Sequence, residues 1–326
     1  MSRFNTTWLA GILGLGCALG AGSAMADTWP SKPITIVVAF APGGATDLSG
    51  RILATELGAA LGQTVVVQNK PGAAGQVGTE YVASQPADGY TLLISATGHV
   101  MAPSTQTKVN YDPVKSFEPI SLLITMPNLL VVNPEVPARN FAEFVDWAKK
   151  QSSVPYGSAG AGGATHLSGE LLRHLTRLPL AHVAYKGNGP SMADTVAGHI
   201  NMAFVDTVSV GALVSSGKLR AIAATSAQRS KSYPDVPTIQ ESGVSGYDLE
   251  NWVGLYAPAG TPKEIVVKLN GHVNAAMNKP EVRERMLKLG ADSTNNLDAA
   301  GFRQFVQNET SKWAETIRLT GVTVAN

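Results

Sequence analysis

The sequence predicts an α/β protein of two lobes joined by two chain crossings. Short β-branched runs alternate with helical patterns almost throughout, which is the signature of βαβ units and largely parallel sheets. Two glycine-rich loops, each following a strand and opening a helix, lie far apart in the chain. Three helical segments close the sequence without strands of their own, so they must cover a sheet laid down earlier. At 326 residues the chain is long enough for two domains of roughly 100 to 200 residues each.

In the first lobe the pattern predicts strands over 34–40, 64–68 and 91–95, with helices over 46–61 and 76–84 between them. Two apolar runs, 120–125 and 128–132, are split by Met126-Pro127, a break expected where the chain crosses between lobes. A capping box then opens a helix, with Asn140 as the cap and Glu143 three residues on. The second lobe repeats the grammar with strands at 154–156, 181–185, 200–205 and 219–224 and helices at 165–176 and 191–197. An extended segment at 247–257 is long enough to cross back, and helices follow at 262–277, 281–289 and 299–320. The expected division is therefore a discontinuous first lobe, 27–125 plus 247–326, and an inserted second lobe, 126–246. Two crossings make a hinge with a cleft, the usual place for a small ligand.

The N-terminus reads as an address. Arg3 precedes an apolar run over 8–19, and small residues end at Ala24-Met25-Ala26 before Asp27. That is the pattern of a cleavable secretory signal, residues 1–26. Its apolar core, about 12 residues, is short of the roughly 20 that span a bilayer. Leu15-Gly16-Cys17 leaves a lipoprotein reading open as the alternative. Cys17 is the single cysteine, so cleavage leaves neither a disulfide framework nor a thiolate nucleophile. Loss of Arg3 also brings the 25 basic residues level with the 24 acidic ones, which argues against nucleic acid or a polybasic membrane surface as partner.

The candidate chemistry sits in the two loops. The first is Phe40-Ala41-Pro42-Gly43-Gly44-Ala45-Thr46-Asp47; the second runs from Gly157-Ser158-Ala159-Gly160 through Ala161-Gly162-Gly163-Ala164-Thr165 to His166. Glycines let backbone amides approach a ligand, and the unpaired N–H groups and positive dipole of a helix N-terminus favour an anion. Ordinary tight turns are the alternative. Asp47, in the first turn of its helix, is expected to stabilise that N-terminus and the loop. Asp206, at a strand end, either contacts a ligand or caps the helix that follows. His99 and His199 are expected in loops or on the surface.

Other signatures fail residue by residue. The second loop departs from a dinucleotide fingerprint at its last position and has no acid about 20 residues on, which disfavours NAD. Residues 211–218 hold one residue too many for a P-loop, and Leu219 stands where Ser or Thr would hold magnesium. No G-x-S-x-G occurs. His166, His174 and His182 recur every eighth residue, which is not metal-ligand spacing. No cofactor and no metal are expected.

Several strings taken together resemble one family. They are Pro42-Gly43-Gly44 with Asp47 and Arg51; Asn69-Lys70-Pro71-Gly72-Ala73-Ala74-Gly75; Ser158-Ala159-Gly160-Ala161-Gly162 with Thr165-His166-Leu167; and Val183-Ala184-Tyr185-Lys186-Gly187. Pro234-Asp235-Val236-Pro237-Thr238 with Glu241 and Gly243, and Trp252-Val253-Gly254-Leu255 with Ala257-Pro258-Ala259-Gly260-Thr261-Pro262, complete the set. In that order they resemble the Bug-type receptors of tripartite tricarboxylate transport systems. One departure is Ala41, where many members carry a second proline before the glycines. The resemblance implies a type II periplasmic binding protein architecture, two Rossmann-like lobes closing over a small carboxylate. It also implies site residues: Phe40, Pro42, Gly43 and Gly44 as the first wall, Ser158, Ala159, Gly160, Gly163 and Thr165 gripping the carboxylate, and Asp206 as a strand-end acid within reach. The expected partners are the ligand and inner-membrane transporter subunits, with the protein a monomer in the periplasm. Two alternatives remain at this stage: a sensor that passes occupancy to a membrane signalling partner, and an exported hydrolase using His166 as base.

Overall fold

A computed structural model describes residues 29–106, 108–291 and 297–322. The expected signal over 1–26, with Cys17, lies outside the described residues. The first half runs β1 (Ile34–Val38), α1 (Ala45–Leu61), β2 (Val65–Asn69), α2 (Gln76–Ala83), β3 (Thr91–Ala96) and α3 (Gly98–Thr105). A long strand, β4 (Phe117–Val132), leads to α4 (Phe141–Ala148), β5 (Val154–Ser158), α5 (Ala164–Thr176), β6 (Leu180–Ala184), α6 (Asn188–Val196), β7 (Met202–Asp206), α7 (Thr207–Ser215) and β8 (Arg220–Ala224). The chain ends in β9 (Glu250–Pro258), α8 (Lys263–Met277), α9 (Pro280–Lys288) and α10 (Ala299–Thr320).

The strands are ordered β2-β1-β3-β9-β4-β7-β5-β6, with β8 also paired to β4. β1 is parallel to β2 and β3, and β5 is parallel to β6 and β7; the pairs involving β4 and β9 are antiparallel. The two halves thus repeat one plan, with β1, β2 and β3 matched by β5, β6 and β7.

The expected break at Met126-Pro127 is not there. β4 is one strand of 16 residues that passes from one half of the sheet to the other. Its pairing with β9 ends at Pro127 opposite Glu250, and its pairing with β7 begins at Asn128 opposite Asp206. Proline lacks the N–H that a central strand needs. At a change of partner that missing donor is tolerated, so the strand continues. α3 was not expected, because Gly98 at its start and Pro103 inside it weaken any helical pattern. His99, expected in a loop or at the surface, lies in α3 at 1% exposure. It is stacked on Tyr111 and Tyr256, with Nε2 2.9 Å from the Pro113 carbonyl.

Register places the two glycine loops opposite one another. Val38 lies level with Ile94, Leu255 and Ser121, whereas Gly157 lies level with Ala203 and Val131. β1 runs in the same sense as β4, and β5 runs against it. The C-terminal end of β1 therefore points along β4 toward the second half, and that of β5 points back toward the first. Between them lies the buried stretch of β4 over 122–130.

One continuous core occupies a single face of both halves, from Val37, Leu93 and Tyr256 to Tyr156, Leu167 and Phe204, with Phe302, Val306 and Trp313 of α10. The opposite face carries a separate core for each half. α10 packs on α3, on β4 and on α5, so it bridges the halves.

Candidate functional site

The first loop joins β1 to α1. Pro42, Gly43 and Gly44 are exposed, and Gly43 takes φ 91°, a left-handed value that suits glycine. Beneath them Asp47 is 2% exposed and holds the turn. Its carboxylate accepts the Gly43 N–H at 2.9 Å, Arg51 Nε at 3.0 Å and Asn69 Nδ2 at 2.8 Å. Burial raises the Asp47 pKa, but the Arg51, Gly43 and Asn69 hydrogen bonds outweigh that and hold it below the usual range. Asn69 also donates to the Phe40 carbonyl at 3.0 Å. The Phe40 ring lies so close to Gly75 that a Cβ there would stand 2.9 Å from Cζ. The expected role of Asp47 as organiser of this loop is what the geometry shows.

The second loop joins β5 to α5 and is built the same way. Gly162 has φ 72° and donates its N–H to Nδ1 of His166 at 2.9 Å, four residues on, as Gly43 does to Asp47. Ala159 N–H donates to Thr165 Oγ1 at 3.0 Å, and Gly187 N–H to the Ala159 carbonyl at 3.0 Å. Ser158 is fully buried, with Oγ 2.7 Å from His182 Nε2 and 3.2 Å from both the amide and the carbonyl of Gly160. The His166 and His182 rings stack at 3.6 Å between centroids, 14° from parallel. One turn deeper, Glu170 accepts from the Tyr156 hydroxyl at 2.8 Å and from Arg173 at 2.5 Å.

Side by side, the loops are copies. Gly43-Gly44-Ala45-Thr46-Asp47-Leu48-Ser49-Gly50-Arg51-Ile52-Leu53 and Gly162-Gly163-Ala164-Thr165-His166-Leu167-Ser168-Gly169-Glu170-Leu171-Leu172 agree at eight of eleven positions. The backbone agrees as well: the N-cap glycines have φ −82°, ψ 169° and φ −80°, ψ 168°. Neither helix has a side-chain cap, so its first-turn amides are left for other acceptors. An internal comparison of the sequence exposes this repeat directly; reading each loop for known signatures missed it. The packing roles of Gly50 and Gly169 also emerge only in the fold, where a Cβ on Gly169 would meet the Tyr156 ring at 2.2 Å.

Of the expected residues, Phe40, Pro42, Gly43 and Gly44 belong to the loop after β1, and Ala159, Gly160 and Gly163 to the loop after β5. The side chains of Ser158 and Thr165 are engaged inside the second loop and shape it. Asp206 is the cap of α7, accepting from Ser209 N–H at 2.8 Å, and it also accepts from Asn188 Nδ2, so it ties α6 to α7. His182, against Ser158, and Asn188, against Asp206, are partners that sequence reasoning missed, because nothing local marks a contact 24 or 18 residues away. A surface hollow of about 360 Å³ lined by Phe141, Val145 and Ser242 shares no residue with either loop.

Two α/β halves that share the long strand β4, with a glycine loop at a strand end of each directed toward the other, form the architecture seen in the periplasmic binding proteins that the chain resembles. The chain belongs to the tripartite tricarboxylate transporter receptor family, whose sequence model, described as "Tripartite tricarboxylate transporter family receptor", matches residues 50–322. It is 34% identical over 322 residues to the protein BugT of Bordetella pertussis, covering 97% of this chain and 98% of that one. Among solved structures it resembles the periplasmic binding protein BugD, at 36% identity and a TM-score of 0.77, covering 91% of this chain and all of the other. It also resembles a protein of R. palustris solved with adipate, at 31% identity and a TM-score of 0.80, with the same coverage.

Proposed function

We propose that this protein captures a small carboxylate between its two glycine loops and delivers it to inner-membrane transporter subunits. It is exported by residues 1–26 as a cleavable signal and acts in the periplasm as a monomer, binding without chemistry. Its lobes are 27–125 with 247–326, and 126–246, with β4 and β9 as the crossings. The observation that carries the reading is the opposed pair of uncapped helices, α1 and α5, each opening at a glycine with its amides aimed at the gap. Such termini favour an anion. The adipate found with the similar R. palustris protein supports a carboxylate as that anion. Phe40, Pro42, Gly43 and Gly44 line one side; Ser158, Ala159, Gly160, Gly163 and Thr165 form the other, with Asp206 fixing its flank.

The hydrolase reading finds no support in the site. The Nδ1 lone pair of His166 is spent on the Gly162 amide, and the side chain is 11% exposed, stacked on His182. It has no free lone pair with which to take a proton at that nitrogen.

A thermal-shift screen of mono-, di- and tricarboxylates tests the proposal. A ligand at 100 times its Kd that binds only the folded state adds about 2.7 kcal/mol. The expected result is stabilisation by at least one carboxylate, recovered chemically unchanged by mass spectrometry. Turnover by the pure protein, or no stabilisation across the panel, overturns it. Co-purification with transporter subunits rather than a sensor kinase checks the delivery step.

A further inference from the structure

Two histidines are tied to glycines of the second loop, each by a different kind of bond. His166 Nδ1 accepts the Gly162 amide directly at 2.9 Å. His182 Nε2 reaches Gly160 through Ser158, whose Oγ lies 2.7 Å from the ring nitrogen and 3.2 Å from the Gly160 amide and carbonyl. The two rings stack at 3.6 Å between centroids, so the loop is held by an imidazole pair.

An added proton has opposite consequences on the two rings. Gly162 needs the Nδ1 lone pair of His166, and a proton there breaks that bond. A serine hydroxyl, by contrast, carries one donor and two lone pairs. When His182 Nε2 is bare, the Ser158 hydroxyl donates to it and accepts the Gly160 amide. When Nε2 carries a proton, the ring donates to Oγ, the hydroxyl turns to the Gly160 carbonyl, and the amide keeps its acceptor. His182 therefore gains charge with its contacts intact, and His166 does not.

The groups facing His182 are Tyr156 and Ser158 of β5, with His166, Glu170 and the Arg173 bound to Glu170 on α5. Burial lowers the His182 pKa, opposed by Glu170, so the ring is neutral at pH 7. Arg173 and the Tyr156 hydroxyl both engage Glu170, which tempers the pull of that carboxylate. Burial holds His166 at about 4, and a charge on His182 acts in the same direction. The pair thus has room for one proton, and His182 is its place. An anion held over the loop favours the charged ring.

We propose that His182 is a positioning residue that acts through Ser158 and takes up a proton when a carboxylate is captured. The proposal rests on carboxylate capture between the loops. It adds that a site of neutral donors acquires a positive charge beneath it only when occupied. Because occupancy raises the pKa of His182, affinity rises as pH falls from neutrality toward the pKa of the free ring.

Calorimetry of malate and adipate binding at pH 6, run in two buffers of unlike ionisation heat, counts the protons taken up. His182→Gln is the reference, since its amide can donate to Ser158 or accept from it and does not titrate. Melting curves confirm that the variant is folded. The expected result is that wild type takes up more protons than His182→Gln with both acids. The ratio of wild-type to variant affinity should rise about threefold or more between pH 7.5 and pH 5.5. A purely structural role changes affinity by the same factor at both, and titration of the ligand itself cancels in the ratio. Equal proton uptake, or a ratio that does not move with pH, overturns the proposal while leaving carboxylate capture standing. If the variant does not fold, NMR titration of the His182 ring in wild type, with and without malate, decides. A pKa raised by binding supports the proposal, and an unmoved one overturns it. A wild type that binds neither acid overturns capture of these acids and this inference with it.

Discussion

Thr165 is held from inside the second loop. Its hydroxyl oxygen accepts the Ala159 amide from inside the loop, so in the proposed site the hydroxyl proton would be the part offered to a ligand. Thr165→Ala is expected to weaken carboxylate binding by about 1–3 kcal/mol, the scale of a hydrogen bond to a charged group plus a released amide. Calorimetry on the folded variant checks it, and unchanged affinity refutes the role. The buried histidines predict a pH response. Burial lowers His99 to about 4, against the opposing pull of the Pro113 carbonyl and Asp112. Burial, with a contribution from His182, likewise lowers His166 to about 4, opposed by Glu170. Both rings are neutral in the folded state, so as pH falls below 6.5 the unfolded chain takes up protons that the folded chain refuses. Stability is therefore full above pH 6.5, falls as pH drops toward 4, and levels off below. Each ring contributes up to roughly 3 kcal/mol to that loss. Chemical denaturation at pH 7, 5.5 and 4 measures it. A His99→Phe variant, which keeps the aromatic stack, should lose less over the same window.

At the scale of elements, three helix starts carry a side-chain cap and the two loop helices do not. α4, α7 and α10 open on Asn140, Asp206 and Asp298, whose side chains accept the N3 amides of Glu143, Ser209 and Gly301. α1 and α5 open on glycine. A cap occupies amides that a site needs, so the capped helices are structural; α2, α3, α6, α8 and α9 also lack a side-chain cap, and what sets α1 and α5 apart is the shared loop sequence and backbone that open them at opposed strand ends. Asn140→Ala should therefore cost about 1 kcal/mol of stability and leave ligand affinity unchanged. Paired melting and calorimetric measurements test both halves of that statement. The capping box was legible in the sequence because it is complete within four residues. β4 was not legible as one strand, because Pro127 is a breaker by local rules and only its position at a change of partner makes it acceptable.

For the whole molecule the decisive element is α10. Glu309, 5% exposed, accepts Trp252 Nε1 at 2.8 Å and Trp313 Nε1 at 2.9 Å, and pairs with Lys312 at 2.5 Å. Lys312 reaches Asp248 at 3.5 Å, just ahead of β9. Burial lowers the Lys312 pKa, but Glu309 and Asp248 outweigh it and raise the pKa. This network fastens α10 to β9, beside a core shared by both halves. Glu309→Ala is expected to cost about 3 kcal/mol, since it strands two indole donors and a largely desolvated ammonium. Urea denaturation followed by tryptophan fluorescence should show a lower midpoint.

The sequence alone determined the alternation of strands and helices, the place of both glycine loops at strand ends, and the family pattern from Pro42 to Pro262, because each is carried by periodicity or by short contiguous strings. It also held the eleven-residue repeat. Only the tertiary structure decided that the copies oppose one another, since β1 and β5 run in opposite senses along β4. It alone joined His182 to Ser158, Asn188 to Asp206 and Glu309 to Trp252. Those partners are brought together by sheet order and helix packing, and no local preference encodes contacts of that separation.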